Sequence, residues 1–265
     1  MPQLTSGEFS LVYNLLSFTF AAMLASFIFF VLSREQVAPQ YRGAMVMAAL
    51  VVAIAGYHYF RIFDSWNAAY TISNNAFVSS GKPFNDAYRY VDWFLTVPLL
   101  IAELIAVMGL ALDKRGSLTA RLVIAAAAMI ALGYPGEIAT STMTRAIFGT
   151  LSTLPFLYIV YELFVRLGPV INAEAGQAKV LLRNIRLLLI GTWGFYPIVF
   201  MIPLFFGDAK NATAVVAVQI GYCVADVLAK CGYGIMIYAI ARAKTTAEAA
   251  KAPVAAGALA TPSNR

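Results

Sequence analysis

Long apolar runs, broken by short polar ones, dominate this chain. Seven stretches stay apolar for about the 20 residues that carry a helix across a bilayer: 9–32, 44–66, 88–112, 118–132, 143–167, 181–206 and 214–241. Each is predicted to be a transmembrane helix, because a spanning segment must satisfy its own backbone hydrogen bonds. The fourth is the shortest, since Gly133-Tyr134-Pro135-Gly136 is expected to end it early. The longest connection, 67–86, sets Thr71 and Val78 among serines, asparagines and glycines and predicts a short hairpin. From Thr245 onward Ala, Pro, Lys and Ser prevail, and that stretch is expected to be a disordered tail. The expected architecture is an all-α membrane protein, a seven-helix bundle over 1–244 with a tail at 245–265.

Composition agrees with lipid as the solvent. Hydrophobic residues make up 61% of the 265 and charged ones only 12%, against roughly 25% charged in a soluble domain. The net charge of +6 reflects placement rather than a nucleic-acid surface. Arg34, Arg42, Lys114, Arg115, Arg121, Arg166, Lys179, Arg183, Arg186, Arg242, Lys244, Lys251 and Arg265 fall on one side of the expected membrane. Only Arg61, Lys82, Arg89, Arg145 and Lys210 lie on or towards the other. A Lys/Arg excess marks the cytoplasmic side, which places the N-terminus outside and the C-terminus inside. The first segment does not read as a signal peptide, because its basic residues follow the apolar run. Cys223 and Cys231 are eight residues apart on one helix, roughly 12 Å of rise and too far for a disulfide. No nucleotide loop or metal-ligand cluster is legible, and the sole histidine is His58.

Ionisable residues at bilayer depth are costly, so each needs a reason. Four stand out: Asp92 and Glu103 in the third segment, Asp226 and Lys230 in the seventh. Asp226 and Lys230, spaced i and i+4, share one helix face. They read either as a structural ion pair or as a buried amine made nucleophilic for a Schiff base. Asp92 and Thr96 are also one turn apart, so Thr96 can bond or orient Asp92. Glu103 follows eleven residues after Asp92, about three turns and roughly 16 Å along almost the same azimuth. With Arg89 at the outer end, this stripe reads as a file of proton-exchanging groups.

Together these residues resemble those of the microbial rhodopsins. Arg89-Tyr90-Val91-Asp92-Trp93 with Thr96 and Pro98 resembles that family's third helix, and Trp193, Tyr196 and Pro197 its retinal-pocket string on the sixth. The resemblance implies all-trans retinal bound to Lys230 as a protonated Schiff base, with Asp226 as second counter-ion. Trp93, Trp193 and Tyr196 would wall the polyene, and Met129, Gly133, Ser152 and Phe156 would surround its ring. Asp-Thr-Glu at 92, 96 and 103 resembles the outward proton pumps of the proteorhodopsin and xanthorhodopsin branch. Sodium pumps carry Asn-Asp-Gln there, and chloride pumps lack the aspartate. In that setting Asp92 is the proton acceptor. Glu103, in an apolar half of the helix, is expected to hold its proton at rest and act as donor.

The same branch implies that His58 pairs with Asp92 and contacts a neighbouring protomer in a homo-oligomer, a pentamer or hexamer. Leu100, one turn inward of Thr96, implies green absorption. Gly149 stands where a bulky aromatic usually covers the retinal ring, which implies a side window for a carotenoid (xanthophyll) antenna, if the cell makes one. Asp208 is the sole carboxylate near the outer ends of the last two helices, and no release group is assigned. Three readings follow: an outward light-driven proton pump, a photosensor signalling to a membrane transducer, and a seven-helix transporter without retinal. Glu103 favours the first, because a sensor needs no fast internal donor.

Overall fold

The computed structural model describes residues 1–85, 87–110, 112–206 and 211–251. It contains seven helical spans long and apolar enough to cross a bilayer, one for each expected segment. Helix α1 (Ser6–Ser33) starts at a capping box. The Thr5 hydroxyl accepts from the Glu8 amide, and the Glu8 carboxylate accepts from the Thr5 amide at 2.8 Å, satisfying two of the donors a helix start leaves unpaired. Its far face shows Phe18, Leu24, Ile28 and Leu32 to the surroundings. Such an apolar exterior is what lipid contact selects.

Helix α2 (Arg42–Ala69) leads into the expected hairpin, made of β1 (Tyr70–Ser73) and β2 (Ala76–Ser79), with Thr71 paired to Val78. The turn residues Asn74 and Asn75 have φ of 47° and 62°. Asparagine tolerates that left-handed backbone, and two such residues match the twist of the strands. Leu4 bridges to Phe77 through two 2.9 Å backbone bonds. Phe9 stacks on Phe77 at 3.9 Å, and Trp66 and Tyr70 complete an apolar cluster that closes this end of the bundle.

Helix α3 (Tyr88–Val107) is shorter than expected. Gly109, at φ +73°, turns the chain just past its end, the usual place for a left-handed glycine. A Cβ there would lie 3.2 Å from the Lys244 ammonium. Helix α4 (Leu112–Glu137) corrects the early stop expected at Gly133, because it runs through Pro135. Proline forfeits one backbone bond, which packing against neighbouring helices makes tolerable inside a membrane. The fifth span joins α5 (Thr142–Tyr161), a π-helical turn (Glu162–Arg166) and the short α6 (Gly168–Ala173).

Helix α7 (Gly176–Phe206) is the sixth span. The seventh joins α8 (Ala212–Asp226), a π-helical stretch (Val227–Gly232) and α9 (Tyr233–Lys251). The tail expected from Thr245 is therefore helical as far as Lys251. Its first turns pack back on the loop between α1 and α2: Thr245 accepts from the Ala38 amide, and Glu248 accepts from Tyr41 at 2.6 Å. Residues 252–265, and Asp208, lie outside the described residues.

Candidate functional site

Helix α3 turns Arg89, Asp92, Thr96 and Glu103 to the bundle interior. The π-helical stretch does the same for Lys230, which is 2% exposed. There the Tyr233 amide donates to the Leu228 carbonyl five residues back, and such π-bulges are frequent at functional positions. Lys230 Nζ lies 2.5 Å from Asp226 Oδ1 and 3.1 Å from Asp92 Oδ2. The structure thus joins on one nitrogen the two carboxylates that the sequence placed on separate helices.

The two acids are held differently. Asp226 accepts from Tyr59 at 2.6 Å, from the Trp93 indole at 3.1 Å, from Tyr196, and from Lys230. Four donors from four elements stabilise its negative charge. Asp92 is fully buried and faces the same ammonium, while the Thr96 hydroxyl donates to the Asp92 backbone carbonyl at 2.8 Å. Thr96 therefore orients the backbone beneath Asp92.

Arg89, 1% exposed, supplies the second cation. Its guanidinium lies 5.7 Å from the Tyr59 ring and 5.3 Å from the Tyr222 ring, and donates to Gln219 at 2.7 Å. Two cations and two anions then share one buried layer, the balance such burial requires. Glu103 is different. It is fully buried, and neither of its carboxyl oxygens has a hydrogen-bond partner among the described residues. A charged carboxylate left alone there would cost several kcal/mol. Tyr233, nearby on α9, donates to the Leu100 carbonyl at 3.2 Å.

From Lys230 a cavity of about 120 Å³ runs between the helices. Trp93, Leu100, Met129, Gly133, Gly149, Ser152, Phe156, Trp193, Tyr196 and Pro197 all line it, so every pocket position read from the sequence meets in one place. Trp93 and Tyr196 meet edge to face at 5.1 Å, and Ser152 donates to the Met129 carbonyl at 2.8 Å. On α7 the residues 193, 196, 197 and 200 form one helical stripe facing the cavity.

Two expectations change. His58 is buried, but its Nδ1 bonds the Ile54 carbonyl one turn back at 2.8 Å, not the Asp92 carboxylate. The ring satisfies its polar atom within its own helix. Gly149 does line the cavity, but the ring of Phe200 rests against it: a Cβ at 149 would be 3.1 Å from Phe200 Cε1. Sequence reasoning missed Tyr59, Tyr222, Gln219 and Phe200. The signal for Tyr222 and Gln219 was present, since they precede Asp226 by four and seven residues on the same helix face.

Comparison with known proteins agrees with this geometry. The bacteriorhodopsin-like protein family model matches residues 11–244. The chain belongs to the bacteriorhodopsin-like family. Within that family it is similar to xanthorhodopsin, whose crystal structure is described as that of a light-driven ion pump with dual chromophore. The two share 54% identity over 94% of this chain and 99% of that one, with a TM-score of 0.91. A thermophilic rhodopsin is 49% identical over the same shares, with a TM-score of 0.89. The green-light absorbing proteorhodopsin of Gamma-proteobacterium EBAC31A08 is 28% identical over 83% of this chain and 82% of its own length. This rhodopsin is accordingly a multi-pass cell-membrane protein, and its family implies a retinal chromophore.

Proposed function

We propose that this rhodopsin is a light-driven outward proton pump. The observation that carries the reading is the asymmetry around Lys230: one carboxylate with four donors, one facing the ammonium alone of these, and, three turns further along α3, a buried acid with no hydrogen-bond partner among the described residues. Retinal fits the residues present, because the cavity begins at the Lys230 side chain and continues between apolar and aromatic walls. Held on Lys230 as a protonated Schiff base, retinal supplies light absorption and a change of shape at that nitrogen. Trp93, Trp193 and Tyr196 position it, and Met129, Gly133, Ser152, Phe156 and Pro197 shape the far end.

The chain's own groups then move the proton. Asp226, satisfied by its four donors, remains an anion and keeps the Lys230 nitrogen charged at rest. Asp92, 3.1 Å away, takes the proton from that nitrogen towards the hairpin end. Arg89, held by Gln219, stabilises the layer in which the transferred charge lies. Glu103 returns a proton to the Lys230 nitrogen from the opposite side and refills from the end that bears the basic residues. That end is cytoplasmic on the Lys/Arg distribution. Leu100 at the polyene supports green absorption, and we assign the assembled form as a homo-oligomer, a pentamer or hexamer.

A carotenoid antenna at Gly149 extends the reading. It is supported by the position of Gly149 in the cavity wall and by the likeness to a pump with dual chromophore. Added xanthophyll should contribute structured blue bands to the excitation spectrum of the retinal response, and Gly149→Trp should remove them.

The test of the pump is direct. Cells expressing the chain with retinal should colour and, in unbuffered suspension, acidify the medium in light, with an uncoupler abolishing the signal. Lys230→Ala should be colourless. A coloured protein without acidification would overturn the pump in favour of a sensor.

A further inference from the structure

The cavity needs a way in. At one end of the bundle the route passes the cluster of Leu4, Phe9, Trp66 and Tyr70 and then the buried charges around Arg89. At the other it passes the packed layer of Leu104, Ile105 and Tyr233. The third direction is sideways, between α4, α5 and α7, which all contribute to the cavity wall. Phe200 lines the cavity from α7 and sits in a notch made by two glycines. A Cβ on Gly136 of α4 would be 3.1 Å from its Cζ, and one on Gly149 of α5 3.1 Å from its Cε1. Beside the notch Met143, Ile147 and Leu151 of α5 are exposed, as lipid-facing side chains are. The ring is also tethered. The Arg145 guanidinium lies 5.1 Å from its centroid, donates to the Phe200 carbonyl at 3.0 Å, and donates to the Glu137 carbonyl at 2.9 Å. One arginine thus pins α4, α5 and α7 around this ring.

We propose that Phe200 is a lateral door of the cavity, which swings out of the Gly136–Gly149 notch to admit an apolar polyene from the lipid and is drawn shut by Arg145. The chemistry matches the passage. A polyene with a terminal carbonyl dissolves in the bilayer, needs no polar path, and must bring that carbonyl to Lys230 at the far end. Glycine on both sides of the notch lets the ring seat close to the backbone of α4 and α5, where a larger side chain would press on it. The door rests on the retinal reading of the cavity.

The experiment follows colour formation in apo-protein reconstituted into phosphatidylcholine nanodiscs, with all-trans retinal supplied in the same lipid. Phe200→Ala should speed colour formation by about tenfold, the effect of roughly 1.4 kcal/mol on a barrier. Phe200→Leu serves where Ala fails to fold. Arg145→Gln should speed it in the same sense, and Phe200→Trp should slow it. A slower Trp variant cannot be explained by a loosened fold. Bleaching of the coloured proteins by hydroxylamine, a water-soluble reagent, should stay within about twofold of the wild type. Equal colouring rates in all variants overturn the door and leave the retinal reading standing. Faster colouring matched by equally faster hydroxylamine bleaching also overturns it, because a generally open bundle then accounts for both. No colour in any variant overturns the retinal reading and the door together.

Discussion

Asp92 and Asp226 are the same chemical group at the same lysine, yet their surroundings assign them different work. Removing a charge from Asp226 leaves the donors of Tyr59, Trp93 and Tyr196 with a weaker acceptor, so Asp226→Asn should cost stability as well as colour. Asp92→Asn removes the acceptor but few bonds, and should leave a folded, coloured protein that does not pump. Thermal loss of the visible band and light-driven acidification, measured side by side, separate the two. Glu103 makes the sharper case. A buried acid with no hydrogen-bond partner among the described residues contributes nothing obvious to the fold, which agrees with the proposed role as proton donor. Glu103→Gln preserves shape and deletes that proton. It should keep the colour and slow the recovery of the ground state after a flash by about a hundredfold, the scale of a lost general acid. A small permeant weak acid should restore the rate; recovery at the wild-type rate in the variant alone would remove Glu103 from the donor role.

Helices read from apolar length, because lipid acts residue by residue, and the hairpin read from the strand and turn residues of 67–86, although its register did not. The bundle's interior stripe on α3 was legible for the same reason: 92 and 103 share an azimuth on any α-helix. The departures lie where packing overrides local preference. Pro135 is a strong stop in water, but α4 continues through it, as packing against neighbouring helices allows inside a membrane. The π-helical stretch around Lys230 has no sequence marker, since its extra residue is accommodated by contacts from other helices. Phe200 was hidden because the glycine notch it occupies is built from two other helices. The seventh helix also outlasts its apolar pattern. Its last turns are polar, yet Thr245 and Glu248 bond Ala38 and Tyr41, and Lys244 pairs with Glu174 beyond α6. Ending the chain after Lys244 should therefore lower the temperature at which colour is lost while leaving the pumping rate per coloured protein unchanged. At the opposite end Gln219→Leu frees Arg89 from its neutral tether. It should alter the timing of proton release seen by a pH dye and also lower the temperature at which colour is lost, because depriving a buried charged donor of its acceptor costs on the order of 1–3 kcal/mol.

Direction is a property of the whole molecule, and it is built into α3. That helix starts beside the hairpin, so Asp92 lies on the hairpin side of Glu103 along the same stripe. If Asp92 receives the proton and Glu103 replaces it, each cycle carries charge towards the hairpin end whichever way the protein faces. In the cell the basic residues decide which way that is. Arg34, Arg42, Arg166, Arg242 and Lys244 gather at the far end, and on that distribution we propose that the hairpin faces outward. Reconstitution separates the two statements. Lys82, just past β2, is exposed, so modification of Lys82 itself by an impermeant amine label, read peptide by peptide because Lys179 and Lys251 lie at the other end, reports which fraction of liposome-bound protein shows its hairpin outside. In preparations where the hairpin faces the lumen, light should acidify the lumen; where it faces out, light should acidify the medium. The sign of the pH change should follow the labelled fraction linearly through zero. A preparation with the hairpin inside that makes its lumen alkaline would mean that Glu103 and Asp92 exchange roles, and the order of groups along α3 would then require the opposite reading.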